Sequence, residues 1–334
     1  MSQYAVLVGC NYYALGNTQN NVLFGCCNDV RNVRDLLQSI YHFPQNNITL
    51  LSDDQDPALP TFSSKANILN TVHSMIAKAQ PGDILYFHYS GHGMLTQRQN
   101  TINIMYPNAS DCIIPTDVLA GGGYDPSKEI TDDEWWQIVS TIPAGITLFA
   151  VFDSCHSGTQ MELAYSMILT PGIPGTFHLQ DIERHPETAA NVVMLSGCKD
   201  DQTSLDAVDN LGRPAGALTY AFCTYIRNHS SIQISYVDFL SSIRNQIISN
   251  NPGVPDVQIP QLDFGRLGDC GKPFSLIPKP IKDVKDITSK SKHQQLHGDI
   301  LLSDIVSLLK SCQQIKVSLG SLLKAIDGLR DLRK

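Results

Sequence analysis

Two polar runs in this chain each follow an apolar one, and each delivers a side chain suited to covalent chemistry. Thr147–Gly158 reads TLFAVFDSCHSG. Its apolar half, Leu148 to Phe152, has the pattern of a buried strand. The rest, Asp153-Ser154-Cys155-His156-Ser157-Gly158, turns abruptly polar. Asp83–Tyr89 (DILYFHY) has the same layout and runs into Ser90-Gly91-His92-Gly93. In an open α/β sheet, chemistry sits just past the carboxyl ends of strands. One strand then presents a thiol and the other an imidazole, each flanked by glycines that let a second backbone approach. A cysteine nucleophile with a histidine partner requires that arrangement. A single Cys is most often a small buried hydrophobe, and a single His a hydrogen-bonded structural residue; the pairing at two strand ends is what points to catalysis. His156 is a rival base, but beside Cys155 in an extended segment it should point to the opposite face. His92 is the expected base.

The elements that must position this pair follow from the hydrophobic pattern. Tyr4–Cys10 reads as a buried strand, Asn28 or Asp29 as the cap of a helix running to about Ile40, and Ile48–Leu51 as a short strand. Ser63 and Ser64 precede a second helix, which Pro81-Gly82 ends before the His92 strand. The alternation β-α-β-α-β builds a parallel sheet covered on both faces. Thr96–Ser110 reads as polar loop and Asp111–Pro115 as a short strand. Thr131 with Asp132, Asp133 and Glu134 reads as a helix N-terminus. Glu162–Thr188 reads as mostly loop. Asn191–Ser196 is a further strand, Ala215–Asn228 and Ser235–Asn250 are helices, and Val257–Leu262 and Phe274–Ile277 are late edge strands. The acids Asp53, Asp54 and Asp56 read as solvated.

Composition bounds the possibilities. The 334 residues are 42% hydrophobic and 17% charged, enough for a large core. A net charge of -8 argues against a nucleic-acid partner. No apolar run reaches the roughly 18 residues that cross a bilayer, and no basic stretch precedes an apolar run at the N-terminus, so neither membrane nor signal peptide is expected. Nine cysteines without CxxC pairs suit reduced thiols in a cytoplasmic or nuclear compartment. The catalytic body is expected over 1–280, a linker over 281–298 and a helical tail over 299–334. In the tail, Leu301, Ile305, Leu308, Cys312, Ile315, Leu319, Leu322, Ile326 and Leu329 form a heptad stripe. That stripe either packs on the chain's own body, self-associates or takes a partner helix.

The motifs resemble those of caspase-like cysteine peptidases, and most closely metacaspases. Ser90–Gly93 and Asp153–Gly158 match the two signature motifs. Gly25-Cys26-Cys27-Asn28-Asp29-Val30, Phe87-His88-Tyr89 and Ser196-Gly197-Cys198-Lys199-Asp200-Asp201-Gln202-Thr203-Ser204 supply the others in the correct order. The resemblance covers about Tyr4 to Leu276. It implies a caspase-like three-layer αβα sandwich with a mostly parallel central sheet, divided into a large-subunit-like part (1–188) and a small-subunit-like part (189–280). The short segment between them resembles type I members, without their Pro/Gln-rich prodomain, and the tail lies outside the family pattern.

The implied activity is endopeptidase cleavage after Arg or Lys. Cys155 is the nucleophile, His92 the base and then acid, and backbone N–H groups near Gly93 and Cys155 hold the oxyanion. A carboxylate two residues before Cys155 on the same strand face raises the thiol pKa, so Asp153 must serve something else. In metacaspases the matching Asp lines the first specificity pocket, together with positions matching Asp29, Cys26 and Ser90. Two carboxylates there favour a cationic side chain. Capping of its own helix is the plainer role for Asp29. Acids at positions matching Asp111, Asp132, Asp133 and Glu162 bind Ca2+ in calcium-activated members, with Glu162 standing where Asp is usual. Solvated acids on a capped helix are the alternative. Arg184 and Lys199 are the expected sites of self-cleavage, and a monomeric body is implied. Two other readings stay open: a catalytically silent scaffold that binds partners through its tail, and a zinc or redox site built from Cys155, His92 and His156, for which the ligand spacing is missing.

Overall fold

The computed structural model describes residues 1–13, 22–97, 109–120, 123–155, 157–169, 177–182, 185–197, 206–209, 212–229, 234–251 and 258–276. The heptad tail, Arg184, Lys199 and His156 lie outside the described residues. Eight strands form one sheet in the order β2-β1-β3-β7-β10-β14-β8-β9. The first five, β2 (Ile48–Ser52), β1 (Gln3–Gly9), β3 (Ile84–Ser90), β7 (Thr147–Asp153) and β10 (Asn191–Ser196), are mutually parallel. β14 (Gln261–Phe264), β8 (Tyr165–Leu169) and β9 (Phe177–Asp181) continue it antiparallel.

The central strands are mostly apolar because both faces are covered. Side chains alternate between two cores. Ala5, Leu7, Ile84, Tyr86, Phe149, Val151, Val193 and Leu195 enter one core. It is shared with α1 (Cys26–Ser39), α4 (Ala217–His229) and α5 (Tyr236–Asn250), through residues such as Val33, Leu37, Phe222 and Phe239. Val6, Val8, Leu85, Phe87, Leu148, Phe152, Val192 and Met194 enter the other, against α2 (Lys65–Lys78) and α3 (Asp132–Val139), with Ile68, Val72 and Trp135 among them. Each fully buried side chain of this size contributes about 1.5–3 kcal/mol, so the core fixes the strand register that places the site. The result is a three-layer αβα sandwich with a mostly parallel sheet.

Several boundaries depart from the sequence expectation. Helix α1 begins at Cys26 rather than at Asn28 or Asp29, and Gly25 makes no side-chain cap. The cap comes from a distant loop: Asn11 Oδ1 accepts from Cys26 N at 2.9 Å and Cys27 N at 3.3 Å. Asp53 in turn accepts from Asn11 N and Tyr13 N, and Asp54 pairs with Arg31. Asp53 is thus an anchor, while Asp54 pairs with Arg31 but stays exposed to solvent. Gly93 opens a strand, β4 (Gly93–Gln97), paired with β5 (Ala109–Ile113) and through it with β6 (Ile130–Thr131), where a polar loop is expected. Strands β8 and β9 occupy a stretch that reads as loop; β9 is exposed along nearly its whole length and so shows no alternation. β14 is an interior strand, not an edge. Ser64 caps α2, and Thr131 and Glu134 form a capping box on α3, as their sequences predict. No helix among the described residues is long and apolar enough to cross a membrane.

Candidate active site

The parallel strands β3 and β7 are neighbours, and their register pairs Ser90 with Asp153. His92 and Cys155 each lie two residues past that pair, at the same rim. Gly91 N reaches Asp153 O at 3.4 Å, which begins to tie the two turns together. The closest approach is at Gly93, where a Cβ would sit 2.1 Å from the Cys155 carbonyl oxygen. Only glycine allows the imidazole turn to lie directly on the thiol turn. Strand β7 ends at Asp153, so strand alternation stops short of Cys155 and does not set where its side chain points.

His92 is held from behind by Tyr12. The two rings stack with centroids 4.6 Å apart. The Tyr12 hydroxyl accepts from His92 N at 2.8 Å and donates to Ile114 O at 2.6 Å. Tyr89 hydroxyl donates to His92 O at 2.7 Å. Tyr12 adopts φ 61°, in the left-handed region that a non-glycine residue enters only at a cost of about 1–2 kcal/mol.

The thiols divide sharply by exposure. Cys10, Cys26, Cys27, Cys112, Cys223 and Cys270 are buried, while Cys155 is half-exposed. Burial pushes the Cys10 and Cys26 thiols well up, with Asp53 next for Cys10 and Asp29 for Cys26, and raises Cys223 to about 12. Thiolate character and access together decide which cysteine reacts, and among the described cysteines only Cys155 has the access.

Beside this pair two acids are buried close together. Asp29 and Asp153 are both buried. Gly216, at the end of β12 (Pro214–Gly216), donates its N–H to both Asp29 oxygens at 3.0 Å. Asp153 Oδ2 accepts from Thr219 N at 2.8 Å and Thr219 Oγ1 at 2.7 Å, in the first turn of α4. The position a Cβ would take on Gly216 is 2.2 Å from Asp153 Oδ2 and 3.0 Å from Asp29 Oδ2, so two carboxylates converge where glycine leaves room. Cys26 and Ser90 are buried nearby: Asp29 and Asp153 both act on the Cys26 thiol, and Ser90 Oγ meets His88 Nε2 at 3.1 Å.

A family model described as metacaspase, peptidase C14 domain, matches residues 3–164. Metacaspase-1 of Mycosarcoma maydis is 32% identical over 296 residues, covering 76% of this chain and 69% of that protein. The chain belongs to the metacaspase family. Metacaspase-1A of Aspergillus oryzae is 33% identical, over 79% of this chain and 68% of the relative. For metacaspase-5 of Trypanosoma cruzi the figures are 33%, 81% and 59%. The chain thus spans roughly three fifths to two thirds of the length of the metacaspases it matches. A crystal structure of a protein from Geobacter sulfurreducens shares the fold, with TM-score 0.56 and 18% identity over 84% of this chain and 100% of that one. As a metacaspase the chain is a cysteine-type peptidase, and its substrates are proteins.

A second acidic group lies at the start of α3. One oxygen each from Asp132, Asp133 and Glu162 falls within 4.8 Å of the others. Asp111, the fourth acid that the metacaspase pattern suggests, is not in that group; its Oδ2 accepts from Thr159 N and Thr159 Oγ1. Glu162 adopts φ 47°, and its Oε2 meets His185 Nε2 at 2.7 Å. The His185 ring lies flat on Trp136, 4.2 Å away. Tyr12, Thr219 and His185 carry no motif and escape sequence reading. Their only signal is spatial, since each touches a motif residue from a distant part of the chain.

Proposed function

We propose that this metacaspase is a calcium-activated endopeptidase that cleaves after Arg or Lys through a Cys155/His92 dyad. The observation that carries the specificity is the convergence of Asp29 and Asp153 on Gly216. Two buried carboxylates beside a nucleophile favour a guanidinium or ammonium group, because charge-assisted hydrogen bonds are strongest away from water. Cys155 Sγ, as thiolate, attacks the scissile carbonyl carbon and forms a C–S bond. His92 holds the thiol proton and passes it to the departing amine as the C–N bond breaks. Water, deprotonated by His92, then hydrolyses the thioester and returns the thiol. Backbone N–H groups at Gly93 and Cys155 are suited to hold the oxyanion.

Asp132, Asp133 and Glu162 would hold calcium. All three offer carboxylate oxygen, the donor a hard cation takes. The ion would supply positive charge that draws these acids, and the loop bearing Glu162, into one arrangement. Self-cleavage after Arg184 or Lys199, and a reducing cytosolic or nuclear setting that keeps the thiol reduced, complete the reading.

The test is a panel of fluorogenic peptides ending in Arg, Lys, Leu or Asp, assayed with calcium and with chelator. Turnover of the Arg and Lys peptides alone, lost in chelator and in Asp132→Ala/Asp133→Ala, is the expected result. Preference for Asp removes the pocket reading, and equal rates in chelator remove the calcium reading. Loss of turnover in both Cys155→Ala and His92→Ala supports the dyad; activity retained in either overturns it.

A further inference from the structure

Strand β3 carries a polar line that reaches Asp153. Tyr86, His88 and Ser90 alternate along it on one face, and all three are buried. Tyr86 hydroxyl meets His88 Nδ1 at 3.4 Å. His88 Nε2 meets Ser90 Oγ at 3.1 Å and Thr219 Oγ1 at 3.2 Å. Thr219 Oγ1 reaches Asp153 Oδ2 at 2.7 Å.

The proton positions follow from valence. A carboxylate only accepts, so the single Thr219 hydroxyl proton goes to Asp153. Thr219 Oγ1 must then accept from His88, which places the imidazole proton on Nε2. Nδ1 is left as an acceptor, and Tyr86 donates to it. Burial lowers His88 to about 3, so the ring is neutral and this tautomer is consistent with its surroundings. Tyr86, His88 and Thr219 thus donate in sequence toward the carboxylate, with Ser90 Oγ a second acceptor of the same Nε2 proton, and hydrogen bonds so chained strengthen one another. Oδ2 is thereby engaged twice by Thr219, which fixes the plane of the carboxylate. Oδ1 is turned toward Gly197, where a Cβ would lie 3.5 Å away.

We propose that Thr219, supported by His88 and Tyr86, is a positioning residue for specificity: its hydroxyl sets the orientation in which Asp153 meets the cationic side chain of the substrate. This rests on the pocket reading above. Thr219 N already caps the α4 turn on Asp153, so the fold keeps one bond if the hydroxyl is removed. The hydroxyl bond adds orientation that binding a planar guanidinium demands.

The experiment compares wild type, Thr219→Val, which keeps the shape and the N–H, and Thr219→Ser, which keeps the hydroxyl. Hydrolysis of Arg, Lys and Asp peptides is measured with calcium present, alongside alkylation of Cys155 by iodoacetamide followed by mass spectrometry. Iodoacetamide needs the thiol but not the pocket. Thr219→Val should raise KM for the Arg peptide about tenfold, the weight of one charge-assisted hydrogen bond, with a much smaller change in kcat. Thr219→Ser should restore KM, and alkylation should proceed at the wild-type rate throughout. A wild-type KM in Thr219→Val, no rescue by Ser, or alkylation slowed in step with hydrolysis overturns this assignment alone. A wild-type enzyme indifferent to Arg, Lys and Asp overturns the pocket reading and takes this inference with it.

Discussion

The Tyr12 ring lies against the His92 ring, centroids 4.6 Å apart, while its hydroxyl receives the His92 backbone N–H at 2.8 Å. One side chain thus fixes both the plane of the imidazole and the turn that carries it. Tyr12→Phe keeps the stack and removes the hydroxyl, leaving His92 N and Tyr89 to re-pair. We predict a kcat loss of about three- to tenfold with KM little changed, and a stability loss of about 1–2 kcal/mol. Steady-state kinetics and a urea melt check this. Wild-type kcat would mean that Tyr12 only fills space.

Gly93 is where the two catalytic turns touch. A methyl group there would lie 2.1 Å from the Cys155 carbonyl oxygen, which is backbone and has no rotamer to yield. Gly93→Ala should therefore displace the thiol turn by a good fraction of an ångström. We expect kcat to fall about a hundredfold, the penalty of a misplacement near 1 Å, in a protein whose near-UV circular dichroism stays native. Retained activity would show that the turns move independently.

The buried imidazole of His88 makes stability depend on pH. Burial lowers it to about 3 in the folded chain, against about 6.5 unfolded. As pH falls below 6.5 the unfolded chain binds this proton and the folded chain does not, so stability drops until pH approaches 3. The slope from one such proton reaches about 1.4 kcal/mol per pH unit. Between pH 6 and 4, His88→Phe should be less steep than wild type by that amount, whatever its absolute stability. Urea unfolding at three pH values measures it, and identical slopes would contradict a neutral buried His88.

What was legible in the sequence, and what was not, divides along physical lines. The strands carrying Cys155 and His92 are apolar runs that stop at polar turns, and the register of β3 on β7 brings those turns together. The α3 capping box is local, written in Thr131 and Glu134. By contrast, α1 is capped by Asn11, fifteen positions back along the chain from Cys26, so no local pattern marks its first residue. β9 has solvent on nearly every side chain and no period to read. The buried acid pair is half legible: Asp29 and Asp153 sit in motifs, but Gly216 and Thr219, which hold them, become visible only when the small-subunit-like part folds against the large one.

Glu162 Oε2 cannot engage a cation and hold His185 as it now does. That oxygen is 2.7 Å from His185 Nε2, and the same residue closes the group formed with Asp132 and Asp133. A calcium ion that engages Glu162 competes for that oxygen and weakens what holds the His185 ring on Trp136. Trp136 is partly exposed, whereas Trp135 is sealed in the core against Phe87 and Phe152. Calcium titration should therefore change tryptophan emission through Trp136, and Trp136→Phe should abolish the change. His185→Ala removes the competitor and should tighten calcium binding by about three- to tenfold, the weight of one hydrogen bond to a charged group shared with water. Isothermal titration calorimetry reads this directly and needs no substrate. Unaltered affinity in His185→Ala, with calcium bound normally by wild type, would place the ion away from Glu162.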